Sequence, residues 1–297
     1  MKLPIKALTS LSILLFIVGI KPPWVNAQRE PVIAAAGDIA CKPGDTEHPC
    51  HQAQTSNLVV NDSTITDVTL GDNQYEVGAY DAYLASYDPT WGRFKGITQP
   101  VPGNHEWRTT NAAGYRKYFG YGSGRLWYSY NLGAWHIVAL DSDCKEIGGC
   151  GTGSNEYKFL KNDLTSDTHL CELLYFHHAR FSSSSTAAPM GAVWRLAYDN
   201  GVDVILNGHE HDYERFAPQT PSGALDLSKG IREFVVGTGG KNHAAFDATL
   251  DENSRAHDNT TFGVLKMTLG PTSYTWQFVP DKTSGSFTDS GSYACHT

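Results

Sequence analysis

Several apolar runs in this chain each lead into a short polar block that is rich in Gly, Asp, Asn or His. The runs are residues 32–36, 68–70, 97–101, 173–176 and 202–206. Short apolar runs bounded by turn residues are typical of buried strands. The polar blocks are therefore predicted to lie at the carboxyl ends of neighbouring strands, where side chains converge on one crevice.

These polar blocks carry side chains of the kind that bind metal ions. In chain order they are Gly37-Asp38-Ile39-Ala40, Gly71-Asp72-Asn73-Gln74-Tyr75, Gly103-Asn104-His105-Glu106, His177-His178 and Gly208-His209-Glu210-His211. The leading glycines are expected to let the backbone turn tightly off each strand. A lone Asp after a strand is usually a turn former, but that role does not explain the whole set. Oxygen and imidazole donors in such numbers favour two metal ions over one.

The ordered blocks closely resemble those of the calcineurin-like metallophosphoesterase superfamily: GDxG, GDxxY, GNH(D/E), a histidine after a strand, and GHxH. Tyr75 makes the chain similar to the purple acid phosphatase branch. Ala40 stands where the family usually has glycine, and His177-His178 offers two histidines where the family needs one ligand. The resemblance implies an α/β (α+β) fold, a four-layer αββα sandwich with two mixed β-sheets.

The resemblance also implies two metal sites that share one carboxylate. The first would comprise Asp38, Asp72, Tyr75 and His211, and the second Asp72, Asn104, His177 and His209. Asp72 is assigned to both sites because a carboxylate can bridge two cations with its two oxygens. A phenolate suits a trivalent ion, so Fe(III) is expected beside Tyr75. An amide and two imidazoles suit Zn, Mn or Fe(II).

Two histidines next to expected ligands are candidates for work on the substrate. His105 follows Asn104 and is expected to contact the phosphate and donate a proton to the leaving group, with Glu106 orienting it. Alternatively, His105 only orients Asn104, which is itself a candidate substrate contact. His177 is the expected ligand of its pair, and His178 is expected to face substrate or to support the ligands.

These roles predict a phosphatase that hydrolyses phosphate monoesters by in-line attack of a hydroxide held by the metals, with Asp72 and His105 as the catalytic residues. A metal-dependent phosphodiesterase is an alternative, because the same metals can serve a diester. A non-catalytic metal-binding secreted protein is a second alternative, whose mark would be a lost ligand. The sequence has no G-x-S-x-G elbow of a serine hydrolase.

The N-terminal sequence predicts export. Lys2 and Lys6 precede an apolar run at residues 11–20, which is short for a membrane span, and cleavage is expected near Ala27. We expect a signal peptide at residues 1–27 and a single catalytic domain at residues 28–297. The mature protein would be secreted or periplasmic, without a membrane anchor. A formal net charge of −8 argues against nucleic acid as a partner.

All 6 cysteines follow the predicted signal peptide. An even number in an exported chain favours disulfides over a thiolate metal site. The short separations favour Cys41–Cys50 and Cys144–Cys150, which would leave Cys171 with Cys295. Other pairings are open on the sequence alone.

Between the blocks, the pattern predicts alternating helices and strands. Helices are predicted at residues 52–60, 79–87, 112–119, 154–164 and 190–198, with Ser154 capping the fourth. Further strands are predicted at residues 127–131, 134–140, 233–236, 263–269 and 274–279. Alternating units followed by consecutive strands indicate mixed sheets flanked by helices. The glycine-rich segment 237–241 lacks the spacing of a nucleotide P-loop and is predicted to be a tight turn at the rim.

Overall fold

The computed structural model describes residues 29–60, 65–184 and 189–296, so the predicted signal peptide lies outside the described residues. In chain order the labelled elements are β1 (Val32–Ala36), α1 (Gln52–Ser56), β2 (Ile65–Leu70), α2 (Tyr80–Ala82), β3 (Thr98–Val101), α3 (Ala113–Phe119), β4 (Tyr128–Leu132), β5 (Trp135–Ala139), α4 (Asn155–Ser166), β6 (Cys171–His178), α5 (Gly191–Asn200), β7 (Val204–Gly208), β8 (Tyr213–Phe216), β9 (Arg232–Val236), β10 (Ser254–Asp258), β11 (Gly263–Leu269), β12 (Ser273–Pro280) and β13 (Ser290–Ala294). Helix α2 continues as a π-helical turn over Tyr83–Tyr87, and short 3₁₀ segments include Trp91–Ile97 and Glu106–Arg108.

The strands form two mixed sheets. The first sheet has the order β13-β12-β11-β1-β2-β3, and the second has the order β10-β8-β9-β7-β6-β5-β4. In the first sheet, β1, β2 and β3 run parallel, whereas β11, β12 and β13 join as an antiparallel meander. In the second sheet, β5, β6, β7 and β9 are parallel. In the parallel centre of each sheet, the carboxyl ends of several strands therefore lie at the same end of the sheet.

The two sheets pack face to face, with helices outside them. Leu173 and Leu206 of the second sheet lie in the same buried cluster as Val68 and Val264 of the first. Neighbouring residues point the other way because side chains alternate across a strand. Thus Leu174 of β6 packs with residues of α4 and α5 in a separate cluster. These layers confirm the predicted sandwich of two mixed sheets between helices.

Helix α4 begins where its local sequence predicts. The Oγ atom of Ser154 accepts a hydrogen bond from the backbone N–H of Tyr157 at 3.1 Å, as predicted for an N-cap. One face of the helix then buries Leu160 and Leu164. The cap satisfies a backbone donor that no preceding helical turn could reach.

All three expected cysteine pairs are disulfide bonds: Cys41–Cys50, Cys144–Cys150 and Cys171–Cys295. The third joins the start of β6 to the residue after β13, and so links the two sheets. In the part of the chain that the structure describes, no helix is long and apolar enough to cross a membrane.

Candidate metal centre

Three of the predicted ligands adopt a backbone conformation that side-chain-bearing residues rarely take. The φ angles are 59° at Asp38, 46° at Asp72 and 70° at His209. Each residue comes at or just after the end of β1, β2 or β7. Left-handed backbone at such residues is costly and persists where the surrounding structure enforces it, often at functional sites. The fold therefore holds these side chains at the strand ends against a local preference.

The glycines before the ligands provide space more than they provide a turn. A Cβ atom on Gly71 would lie 2.5 Å from Nδ1 of His177, and one on Gly103 would collide with the carboxylate of Asp72. Only Gly71 of this pair has a positive φ. The expected tight turn is mostly made by the ligands themselves, and glycine lets ligands from other loops approach the backbone closely.

One half of the centre surrounds the phenol oxygen of Tyr75. That oxygen lies 2.7 Å from Oδ1 of Asp38, 2.9 Å from Oδ2 of Asp72 and 3.0 Å from Nε2 of His211. Nε2 of His211 is also 3.3 Å from Oδ1 of Asp38. Four donors from the loops after β1, β2 and β7 thus lie close together, although Asp38 and His211 are far apart in sequence.

The other half surrounds Nε2 of His177. This nitrogen lies 3.2 Å from Oδ1 of Asn104, 3.2 Å from Nδ1 of His209 and 3.4 Å from Oδ1 of Asp72. Asp72 therefore presents one oxygen to each half. The structure brings together every residue that the sequence analysis assigned to a metal ion.

Backbone carbonyl groups fix the orientation of two of the histidine rings. Nδ1 of His177 donates to the carbonyl oxygen of Leu70 at 2.7 Å, and Nδ1 of His211 donates to that of Asn242 at 2.9 Å. These bonds leave Nε2 of both rings with its lone pair towards the centre. Histidines that bind metals are commonly oriented through their other ring nitrogen in this way. The sequence offered no signal for Asn242, since its backbone rather than its side chain does the work.

The electrostatics of this cluster also favour cations. Burial opposes the charged form of Asp72, but the adjacent His177 and His105 hold the pKa of its carboxyl well below the usual range. Burial and the carboxylates of Asp38 and Asp72 raise the pKa of the Tyr75 phenol well above its usual range. The two buried carboxylates are thus ionised and need positive charge beside them.

His105 lies against this cluster without belonging to either set of donors. Its Nδ1 donates to the carbonyl oxygen of Glu76 at 2.7 Å, its ring packs on Tyr75, and its Nε2 is 3.7 Å from Oδ2 of Asp72. The expectation that Glu106 orients His105 is wrong. The buried Glu106 carboxylate instead accepts hydrogen bonds from the backbone of Gly103 and Gln74, at 2.8 and 3.1 Å, and so joins two ligand loops.

His178 lies beside the His177 half of the centre. Its ring centroid is 4.3 Å from that of His209, and its Nδ1 is 2.9 Å from Oγ of Ser142. Burial and the two neighbouring imidazoles lower the pKa of His178 to about 2, so the ring is neutral. Ser142, which the sequence analysis missed, follows β5 with no recognisable motif.

The glycine-rich segment 237–241 bends, but the prediction that it lies at the rim is wrong, because all five residues are buried beside the centre. The backbone N–H of Lys241 donates to the carbonyl oxygen of Asp38 at 2.9 Å, and that of Gly239 donates to Gly37 at the same distance. The Lys241 ammonium group lies 5.0 Å from the centre of the Tyr75 ring and 2.7 Å from Oε1 of Glu76. The turn therefore fixes the Asp38 loop.

A family model described as calcineurin-like phosphoesterase matches residues 32–213. The chain belongs to this family. It is 28% identical over 222 residues to purple acid phosphatase 15 of Arabidopsis thaliana, which covers 62% of this chain and 40% of the relative. It is 25% identical over 296 residues to probable inactive purple acid phosphatase 1 of Arabidopsis thaliana, covering 83% of this chain and 46% of the relative.

Among solved structures, a purple acid phosphatase, PPD1, from yellow lupin (Lupinus luteus) seeds has the same fold. The TM-score is 0.73 at 19% identity, covering 90% of this chain and 54% of that chain. The chain thus spans less than half the length of the two curated relatives and about half of this neighbour.

This calcineurin-like phosphoesterase has a donor set that fits the two metal ions bound by its family. Donor atoms of Asp38, Asp72 and His177 lie within 4.8 Å of one another, close enough for shared cations. The set combines carboxylate, phenol, amide and imidazole donors, which suit hard and intermediate cations.

Proposed function

We propose that this protein is an exported acid phosphatase that hydrolyses phosphate monoesters at a centre of two metal ions. Asp38, Tyr75 and His211 would hold one ion, which we propose is Fe(III). Asn104, His177 and His209 would hold a divalent ion, either Zn, Mn or Fe(II). Asp72 would bridge the two.

The position of Asp72 carries this proposal. Its Oδ2 is 2.9 Å from the Tyr75 phenol oxygen, whereas its Oδ1 is 3.4 Å from Nε2 of His177. Its two oxygens thus face two different groups of donors. A single mononuclear site would need only one of these groups, so the arrangement supports two adjacent ions.

When bound, the two ions would supply positive charge to the phosphoryl oxygens and lower the pKa of a water molecule they hold. The protein's own residues must then position the ester and manage its leaving group. Asn104, His105 and His178 are the candidates, because each lies at the edge of the centre. The amide of Asn104 could donate to a phosphoryl oxygen through its Nδ2 while its Oδ1 faces His177.

His105 is the proposed proton donor to the leaving oxygen. Its Nδ1 is fixed by the Glu76 carbonyl, so its Nε2 is the atom that faces the centre, and its side chain is 12% exposed. A proton on Nε2 can pass to the leaving alcohol oxygen as the phosphorus–oxygen bond breaks. The phosphate dianion of the substrate would favour the protonated ring.

A cavity beside His178 is the proposed site of the leaving group. It has a volume of about 240 Å³ and is lined by Ser142, Asp143, Cys144, Lys145, Glu146, His178 and Pro189. Such a volume admits a small organic group, while charges of both signs give it no general preference for anions. Small phosphate monoesters are thus the proposed substrate class.

Export is supported by the three disulfide bonds, because such bonds persist in oxidising compartments. We propose that residues 1–27 direct this export and that residues 28–297 form the one catalytic domain. The expected absence of a nucleic-acid partner stays a prediction from net charge.

The test is a panel of phosphate monoesters and diesters assayed on the purified protein after metal analysis. Two ions per chain and faster turnover of monoesters are expected. His257 is exposed and lies outside the centre, so His257→Ala is a matched control for histidine variants of the centre and should behave as the unaltered protein. Faster turnover of diesters would make the protein a phosphodiesterase. Two bound ions without turnover of any ester would match the non-catalytic alternative.

A further inference from the structure

One lysine beside the metal centre is almost completely buried. The side chain of Lys241 is 4% exposed, although lysine is rarely buried unless it is paired. Its ammonium group lies 3.1 Å from Oδ2 of Asp45 and 2.7 Å from Oε1 of Glu76. Asp45 belongs to the loop that the Cys41–Cys50 disulfide closes. Because burying these charges costs desolvation energy, the ion pairs are weak evidence for stability alone, and the other contacts of Lys241 indicate a further role.

Glu76 connects this lysine to His105. The side chain of Glu76 is 38% exposed, and among the described residues Lys241 is the group that forms a hydrogen bond with its carboxylate. The carbonyl oxygen of the same residue accepts the hydrogen bond from Nδ1 of His105 at 2.7 Å. Lys241 thus holds Glu76 through its side chain, and Glu76 holds His105 through its backbone.

Lys241 also contacts the second residue against which His105 lies. Its ammonium group is 5.0 Å from the centre of the Tyr75 ring, which is within the range of a cation–π interaction. The ring of His105 packs on the same Tyr75 ring, with centroids 4.2 Å apart. Both residues that fix the His105 ring are therefore in contact with one ammonium group.

The remaining neighbour of the His105 ring does not fix it. Its Nε2 is 3.7 Å from Oδ2 of Asp72, which is too far for a hydrogen bond. The direction in which Nε2 points therefore depends on Glu76 and Tyr75. A proton donor must be held close to the leaving oxygen, and a misplacement of about 1 Å can cost roughly 100-fold in rate.

We propose that Lys241 is a positioning residue for His105, which it acts on through the carboxylate of Glu76 and the ring of Tyr75. The proton transfer that this orientation serves rests on the proposed function, whereas the orientation itself does not. The expected effects of a substitution are therefore of two kinds, one on the mobility of the His105 ring and one on turnover.

The first measurement concerns the ring of His105 and needs no turnover. The full chain, with isotope-labelled histidine and loaded with diamagnetic Zn²⁺, gives nuclear magnetic resonance signals for hydrogen-bonded ring N–H groups. The signal that is missing from His105→Ala identifies the Nδ1 proton. We expect this proton to exchange with water about tenfold faster in Lys241→Met, because a charge-assisted hydrogen bond that holds Glu76 is lost. Lys161→Met, on the exposed surface of α4, is the matched control and should change nothing.

A second variant tests the same connection from its exposed end. Lys241→Met leaves the buried carboxylate of Asp45 unpaired, which costs stability. Glu76→Ala avoids this, since it keeps the carbonyl oxygen that accepts from His105 and removes only the carboxylate that Lys241 holds. Exchange of the Nδ1 proton should again become faster. The double variant Glu76→Ala/Lys241→Met should match Lys241→Met, because the two substitutions remove the same contact.

The second measurement is turnover in the ester panel. Lys241→Met should keep the metal content of the unaltered protein and hydrolyse alkyl phosphates about tenfold more slowly or worse, with a smaller loss for nitrophenyl phosphate, as expected for His105→Ala. Unchanged proton exchange in both Lys241→Met and Glu76→Ala would overturn the proposal. An equal loss of turnover for both kinds of ester would also overturn it, because a merely structural lysine predicts that result. Failure of the proposed phosphatase function would instead appear as an unaltered protein that hydrolyses no ester, with the exchange result still standing.

Discussion

The two halves of the metal centre differ in both charge and exposure. The Tyr75 half combines a phenol with the carboxylate of Asp38, and these two residues are 2% and 0% exposed. The other half offers neutral donors from Asn104, His177 and His209, and the His209 side chain is 36% exposed. Anionic, buried donors favour a highly charged ion that remains bound. Neutral donors, one of them on the exposed His209 side chain, favour a divalent ion that can exchange.

The difference between the halves also predicts different roles for the two ions. His178 and the leaving-group cavity lie beside the neutral half, whereas Lys241 and the 237–241 turn cover the Tyr75 half. Substrate would therefore approach the exchangeable ion, while the enclosed ion would act mainly on the water nucleophile. Variants in each half should separate these contributions.

The largest effect is expected from Asp72→Ala, because this residue belongs to both halves. Removing its two oxygens should abolish binding of both catalytic ions and essentially all phosphatase turnover. Metal analysis by plasma mass spectrometry and the monoester assay measure the two quantities on one sample. Retention of both catalytic ions would show that Asp72 does not bridge them.

The next effect is expected from His209→Ala, which removes a donor from the exposed half only. One divalent ion should be lost while the ion of the Tyr75 half is kept, since Asp38, Tyr75 and His211 are unaltered. Turnover should fall strongly and recover in part with excess divalent metal, because Asn104, His177 and Asp72 still offer donors. Equal loss of both ions would mean that the halves are not independent.

His105→Ala should reduce turnover without changing metal content, because the ring contacts Glu76 and Tyr75 but belongs to neither donor set. General acid catalysis typically contributes about 10²–10⁴-fold to rate. The loss should be large for alkyl phosphates, whose leaving oxygen needs a proton, and small for nitrophenyl phosphate. A uniform loss across a series of leaving groups would reduce His105 to a residue that positions the substrate.

The donor set of the centre was predictable because each donor stands in a short motif directly after an apolar strand. The residues that orient those donors were not predictable. Asn242 acts through its carbonyl oxygen, which any residue could provide, and Ser142 reaches His178 only through the packing of β5 against β6. The motif of Glu106 suggested a catalytic partner, but the fold turns its side chain towards the backbone of Gly103 and Gln74.

Among the strands too, those marked by a local apolar run were predictable, and those that depend on distant neighbours were not. Central strands such as β1 and β11 matched their apolar runs closely. The sequence pattern does not predict β10 and β13, which are the outer strands at one edge of each sheet, or the short β8 beside β10. An edge strand buries little of either face, so Ser254–Asp258 and Ser290–Ala294 carry no apolar run. Their pairing depends on neighbours that are distant in sequence.

The smallest effect on turnover is expected from Tyr75→Phe, which tests the anionic half most directly. A phenolate bound to Fe(III) donates charge to the metal, so the iron-loaded protein should show a broad visible absorption and a pink or purple colour. Phenylalanine keeps the buried ring packed against His105 and removes only the oxygen shared with Asp38, Asp72 and His211. The band should disappear and the affinity for Fe(III) should fall, while the divalent half keeps its ion.

The pH optimum of the same variant sharpens the comparison of the two halves. A trivalent ion acidifies water more than a divalent ion does, so replacing it should move the optimum of turnover towards higher pH. Visible spectra, iron content and pH profiles of the Tyr75→Phe and unaltered proteins measure this. Iron bound to the unaltered protein without a visible band would exclude phenolate ligation. Two divalent ions and full activity after Tyr75→Phe would make Tyr75 a packing residue, and the two halves would then differ in exposure alone.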